Sequence, residues 1–368
     1  MLNRILVLVA LLALVSALPA SAKVQTVARD PYLGAIVLDA DTGQVIFEDN
    51  ADAVGYPASV LKLMDLLVIL EKVQQGVLRL DDPVPVTAEA SKIGGSQVYL
   101  AEKEVFPLDE MLYALMVQSA NDAATALAIK IAGSKDGFVQ LMSEKAKTLG
   151  MSRTKFQSVH GLPPSPGTGT DPDTTTARDL ATMARALCAY PEVFRYTSTQ
   201  VRWFRNNTFE MRNHNKLLGT IEGVDGFKTG YFTAAGFSII ATAQREGVRI
   251  IAVVLGSSSR QVRDAKAAEL LAKGFLAVPR RPAPAAPISA VDPTSSVASI
   301  SSVPSLNNAI TEEEAAENTE GGIEDDPPAC GSGWLKLVGG IVIGIIATLA
   351  FMTFLNRPKR GDKDDLLR

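Results

Sequence analysis

Ser59 and Lys62 stand three residues apart in Pro57-Ala58-Ser59-Val60-Leu61-Lys62, just ahead of an apolar run over residues 63–70. In a helix, positions i and i+3 share a face, so this spacing brings a hydroxyl and an amine together. A serine hydroxyl attacks a carbonyl only when a neighbouring base takes its proton, and a lysine kept neutral by burial is such a base. The helix N-terminus adds N–H donors and a positive dipole end where an oxyanion would form. Alone, the pair also fits an N-capping serine and a lysine that snorkels to solvent. The spacing recurs at Ser152 and Lys155, where polar neighbours and the lack of an apolar run predict a solvated turn.

Two further groups have side chains suited to the same chemistry. Ser119-Ala120-Asn121 interrupts two apolar stretches, one carrying Met111, Leu112, Leu115 and Met116, the other alanine-rich up to Ile131. Small polar residues at such a break project into a cleft, or cap the second helix. Lys228-Thr229-Gly230 occurs once, in a stretch that reads as a strand. His160 opens a long loop running to Thr176, and it fits either a site residue or a satisfied structural histidine.

The elements that must position these groups follow from patterning. Residues 35–38 and 45–48 predict a hairpin, and the Ser59 helix runs on to Gly76. Residues 81–106 read as loops and small strands. A helix opens at Pro107 with Asp109 and Glu110 in its first turn, as the macrodipole favours, and another spans residues 177–189. Residues 223–255 are dense in Ile and Val with turns between, which predicts an antiparallel meander. A last helix runs from about residue 260 and stops at Gly274.

The ends of the 368-residue chain differ from this core. Residues 1–22 carry Arg4, an apolar run and Ala20-Ser21-Ala22, the pattern of a secretory signal cleaved after Ala22. Residues 23–278 then form the catalytic domain, and residues 279–333, rich in Pro, Ala and Ser and then acidic, form a disordered tether. Residues 337–355 are uncharged and apolar, long enough for a transmembrane helix. Arg357, Lys359 and Arg360 follow, placing the short tail 356–368 in the cytoplasm and the domain outside the cytoplasmic membrane. The net charge of −4 hides an acidic block at 311–326 and a mildly positive remainder. No basic stripe suggests nucleic acid. Two cysteines and two distant histidines imply neither a disulfide framework nor a metal site, and no cofactor is expected.

Taken in order, Ser59-x-x-Lys62, Ser119-x-Asn121 and Lys228-Thr229-Gly230 form the motif set of penicillin-binding proteins and class A β-lactamases. The chain resembles the low-molecular-mass penicillin-binding proteins of the D-alanyl-D-alanine carboxypeptidase family over about residues 30–276. The likeness extends through Gln118 to Ala123, Val159 to Leu162 and Gly223 to Gly230. Ala120 stands where glycine is common, and the tether replaces the family's separate C-terminal β-domain.

The resemblance implies an α+β fold, an antiparallel sheet flanked by a helical cluster. It implies that Ser59 attacks the bond between two terminal D-alanines of a peptidoglycan stem peptide, giving an acyl-enzyme that β-lactams mimic. Lys62 would be the base, held neutral by burial and by repulsion from Lys228. Ser119 would relay the proton, Asn121 would hold the peptide amide, and Lys228, Thr229 and Gly230 would take the terminal carboxylate. The N–H groups of Ser59 and Tyr231 would form the oxyanion hole. His160 joins the substrate-binding set. Residues 161–176 lack the glutamate with which class A β-lactamases activate water, which favours a slowly hydrolysed penicilloyl adduct. Cleavage of cross-links by an endopeptidase uses the same residues. A membrane-bound β-lactam sensor is disfavoured by the brief cytoplasmic tail, and a non-catalytic wall-binding module by the intact reactive residues. Oligomeric state is not encoded in any of these patterns.

Overall fold

The computed structural model describes residues 24–165 and 168–281. The expected leader, spanning helix and cytoplasmic tail lie outside the described residues, as does the expected tether from residue 282 onward. Among the described residues no helix is long and apolar enough to cross a membrane.

Strands β1 (Gly34–Asp39) and β2 (Val45–Asp49) make the opening hairpin. A 3-10 turn over Ala58–Leu61 then runs directly into α1 (Lys62–Gln74), in which every residue from Lys62 to Leu70 is buried. A helix apolar on nearly all sides belongs inside the molecule, and α1 lies in the main hydrophobic core. The short strands β3 (Pro83–Pro85) and β4 (Val105–Pro107) pair and lead to α2 (Leu108–Met116) and α3 (Asn121–Ala132). Next comes α4 (Lys135–Thr148), a helix that no sequence pattern above anticipates. Its buried residues are Phe138, Met142 and Ala146, an i, i+4, i+8 line on an otherwise polar helix. The Ser134 hydroxyl accepts the Gly137 N–H at 3.0 Å and caps it.

Beyond the long loop stand α5 (Ala177–Leu187) and α6 (Val193–Thr197), then a second unanticipated pair, β5 (Val201–Phe204) with β6 (Phe209–Arg212). The meander follows as β7 (Val224–Phe232), β8 (Gly236–Arg245) and β9 (Val248–Ser257), and α7 (Arg260–Ala277) completes the chain of elements. The main sheet is antiparallel throughout, in the order β2-β1-β9-β8-β7, which makes β7 an edge.

Side chains of β9 divide by parity. Ile251, Val253 and Leu255 join the core that contains α1 and α5, whereas Ile250, Ala252 and Val254 join a second core with Ala267, Leu270 and Leu271 of α7. Burial on both faces explains why the strands read as continuous Ile/Val runs instead of alternating with polar residues. Each such side chain contributes roughly 1.5–3 kcal/mol of burial.

Two expectations need correction. Gly274 does not stop the last helix, which continues to Ala277. A Cβ at Gly274 would lie 2.5 Å from Ile250 Cγ2 and 3.2 Å from Val37 Cγ1, so the glycine lets α7 approach the sheet. The chain also stays attached past the expected boundary at 278. Arg281 donates its N–H to the Glu246 carbonyl at 3.2 Å, and its guanidinium pairs with Asp39 and Asp41. Composition marks where apolar residues run out, and Arg281 is held instead by acids on β1 and its turn.

Candidate active site

Ser59 lies in the 3-10 turn ahead of α1, directly after Ala58, whose φ of +47° is left-handed. A non-glycine residue there costs on the order of 1–3 kcal/mol, which the packed surroundings must offset. The Ser59 hydroxyl caps neither the turn nor α1. It faces Lys62, so the capping alternative falls. Lys62 does not snorkel either, being 0% exposed.

Lys62 Nζ lies 2.9 Å from Ser59 Oγ, 2.8 Å from Asn121 Oδ1 and 2.8 Å from the His160 carbonyl oxygen. Its partners decide which way each hydrogen bond runs. A neutral amine has two N–H donors and one lone pair, and the Asn121 and His160 oxygens only accept. Both N–H groups are therefore committed to those oxygens, and the lone pair is left for the Ser59 O–H. Burial lowers the Lys62 pKa to about 7, against the opposing pull of Asp65, Asp173 and Asp122.

Of the two expected causes, burial stands first for Lys62, and the repulsion between the two lysines is felt at Lys228. Lys228 is itself buried and held well below its ordinary pKa, first by burial and then by Lys62 and Arg263. Burial of Lys62 is the operative cause.

Ser119 is buried between α2 and α3 with φ +61°, a second left-handed residue that is not glycine. Asn121 opens α3, and its Nδ2 donates to the Gly94 carbonyl at 2.8 Å while its N–H reaches the Ser96 carbonyl. The Ser96 hydroxyl returns a bond to the Gln118 carbonyl at 2.6 Å. Asp122 accepts the N–H groups of Val98 and Leu100, so residues 94–100 are laced to the Ser119 turn.

His160 enters the site through its main chain. Its carbonyl holds Lys62, while its Nδ1 accepts the Leu162 N–H at 3.1 Å within its own loop. Burial, with Lys62 and Lys135 adding repulsion, lowers the ring to a pKa of about 3, so it is neutral at pH 7. Asp173, which no motif flags, fastens this loop: it accepts the N–H groups of Gln157 and Ser158 and the Ser158 hydroxyl. Gly161 packs against the nucleophile's turn at φ +76°, where a Cβ would come 2.2 Å from the Ala58 oxygen.

The opposite wall is β7. A Cβ on Gly230 would lie 2.6 Å from the Pro57 oxygen and 3.1 Å from the Ser59 nitrogen, so only glycine lets strand and turn meet. Lys228 donates to the Thr229 carbonyl at 3.1 Å, Thr229 is buried, and Tyr231 is exposed with its ring stacked on Phe237. Asn215 donates to the Gly226 carbonyl and Asn213 to the Thr197 and Thr199 carbonyls, bracing the approach to this strand. Ser59, Lys62, Asn121 and the His160 carbonyl thus form one bonded cluster, with Gly230 packed against it. Thr229 and Tyr231 flank Gly230 on the strand, and Lys228 is coupled by charge to Lys62. Among the described residues no cluster of three or more His, Cys, Asp or Glu side chains is placed to hold a metal.

Similarity to known proteins converges on this region. D-alanyl-D-alanine carboxypeptidase DacF of Bacillus subtilis is 35% identical over 244 residues, covering 66% of this chain and 61% of its own length. The chain thus spans about three fifths of that curated relative. A D-alanyl-D-alanine endopeptidase of Pseudomonas aeruginosa is 33% identical over 227 residues, 59% of this chain and 69% of the relative. The crystal structure of penicillin-binding protein D2 from Listeria monocytogenes in its ampicillin-bound form superposes with a TM-score of 0.60 at 30% identity. It covers 69% of this chain and 100% of that one. The family model described as D-alanyl-D-alanine carboxypeptidase matches residues 24–259, and the chain belongs to that family.

Proposed function

We propose that this chain is a serine-type D-alanyl-D-alanine carboxypeptidase acting on peptidoglycan stem peptides. The observation that carries the reading is the buried Lys62 amine, 2.9 Å from Ser59 Oγ and held by the Asn121 and His160 oxygens at 2.8 Å each. Ser59 Oγ attacks the carbonyl between the terminal D-alanines as its proton passes to Lys62. The oxyanion is received by the N–H groups of Ser59 and Tyr231, each worth about 3 kcal/mol in the transition state. Ser119 returns a proton to the leaving D-alanine amine, and Asn121 holds the peptide amide. Lys228 meets the terminal carboxylate as an ammonium, with Thr229 and Gly230 lining the pocket. Water then hydrolyses the ester.

A β-lactam enters the same path and stays as an ester on Ser59. The acid on the loop that follows His160 best placed to prime water is Asp173, and its carboxylate is engaged by Gln157 and Ser158. The leader at 1–22 and the apolar segment at 337–355 support a single-pass protein of the cytoplasmic membrane, its active domain on the outer side and joined by a tether. A tether of about 55 residues gives a reach of ~40–50 Å.

Incubation of the full-length chain with a labelled penicillin tests the proposal. The expected result is a lasting adduct that Ser59→Ala abolishes, together with D-alanine release from a pentapeptide. Rapid penicillin turnover without adduct would make it a β-lactamase. The endopeptidase relative motivates a second reading, which preferential cleavage of cross-linked dimers would establish.

A further inference from the structure

Asp65 lies on α1 one helical turn beyond Lys62 and is 2% exposed. Neither of its carboxylate oxygens has a hydrogen-bond partner among the described residues. Acids are common in the first turn of a helix, where they face water or accept its free N–H groups. Asp65 does neither, and a buried carboxyl left without a donor costs about 1–3 kcal/mol or more. An apolar residue would suit this position on α1 better, so stability does not account for it.

Other charged groups on the elements around α1 have partners of their own. Asp173 holds the loop after His160, and Asp122 holds Val98 and Leu100. On α5, Asp179 accepts from the Arg153 N–H and the Thr154 hydroxyl, and Arg178 pairs with Asp52 and Glu48. Arg185 of α5 bonds the Ala40 and Asp41 carbonyls. Farther along α1, Glu71 pairs with Lys145 of α4. On α2, Asp109 pairs with Arg195 and Glu110 accepts the Arg205 N–H. Lys228, on β7, donates to a main-chain carbonyl. The cation one turn away on Asp65's own helix face is Lys62, whereas Lys72 stands two turns off, and a buried carboxylate without donors is ionised only against a nearby cation.

We propose that Asp65 is a positioning residue for the catalytic base, the counter-charge of the Lys62 ammonium, and that it sets the pH at which Lys62 becomes a free amine. Burial drives Lys62 down, and Asp65 is the largest influence opposing it, ahead of Asp173 and Asp122. Burial, with Asp173 adding to it, pushes Asp65 well above the ordinary carboxylate range, and Lys62 is the group that opposes that push. A general base works best when it titrates near the working pH, and burial without a counter-charge would make Lys62 a weaker base. The role rests on Lys62 being the base proposed above.

The test titrates Lys62 directly, by NMR of the full-length chain with carbon-13 in its lysines, the signal being identified by its loss in Lys62→Met. Asp65→Asn keeps the shape, and Asp65→Val removes the polar group. In both, the Lys62 titration is expected to fall by about one pH unit or more, a tenfold change in the equilibrium. An unmoved or raised titration in either folded variant overturns the proposal, even if thermal stability changes. The measurement needs no turnover, so a chain that fails to bind penicillin but shows the shift refutes the carboxypeptidase reading alone. The wild-type chain gives a check that needs neither variant to fold. Below the Lys62 titration its infrared spectrum must lack the band of a carboxylic acid free of hydrogen bonds, a state distinct from the hydrogen-bonded Asp173. That band would overturn the proposal.

Discussion

Ser59 with Lys62 and Ser152 with Lys155 share a spacing, yet they differ in every physical respect that matters to reactivity. Lys62 is wholly buried among three oxygens, whereas Ser152, on a turn, and Lys155, bridged through its main chain to Thr174, are exposed. Each has a left-handed glycine nearby. A Cβ on Gly161 would strike the Ala58 oxygen, while a Cβ on Gly150 would meet nothing within 4 Å. Spacing brings two groups within reach of each other. Burial and committed acceptors turn one of them into a base.

Exchanging the charged head of each lysine should break the comparison most visibly. Lys62→Arg is expected to cut acylation by labelled penicillin by ~10³-fold or more, since a guanidinium stays protonated and general-base contributions run to ~10²–10⁴. Lys155→Arg should leave the rate unchanged. A fully active Lys62→Arg chain would refute the base assignment.

Next in size is the effect of a single methyl on the two glycines. Gly161→Ala must both strain φ and displace the turn that carries Ser59, costing about 3 kcal/mol or more in urea unfolding and slowing acylation. Gly150→Ala has room and should cost only the left-handed penalty of about 1–2 kcal/mol. Equal costs would show that the Ser59 turn yields freely.

The smallest effect is a slope. In the unfolded chain Lys62 holds its proton up to the ordinary lysine value of 10.5, whereas in the fold it gives it up at about 7. Between those values the unfolded state binds more protons, so this group makes stability rise with pH. Unfolding curves of wild type and Lys62→Met should therefore converge as pH climbs through that window, by at most about 1.4 kcal/mol per unit. Parallel curves for Lys62→Met would mean that the amine keeps its proton in the fold.

Much of the site was legible because its chemistry resides in side-chain types at short spacing. Ser59, Lys62, Asn121 and the strand bearing Lys228 were all found that way, and the meander and α1 declared themselves through long Ile, Val and Leu runs. What stayed hidden depends on depth or on the main chain. The His160 contribution is a carbonyl, which every residue carries, so its imidazole misdirected attention. Asp173 acts by fastening amides sixteen and fifteen positions away, beyond any local pattern. The helix α4 turns a single line of three residues inward, too thin an apolar stripe to stand out. Gly274 looked like a stop because its neighbours, Ile250 and Val37, lie far off in sequence.

The three oxygens around Lys62 come from positions 3, 59 and 98 residues away along the chain. Until α3 and the loop carrying His160 have docked on α1, that amine is an ordinary hydrated ammonium and Ser59 an ordinary alcohol. Chemical competence is thus a product of finished long-range folding. A newly made or half-unfolded chain is inert toward acyl donors, so reactivity toward a labelled penicillin doubles as a gauge of native structure.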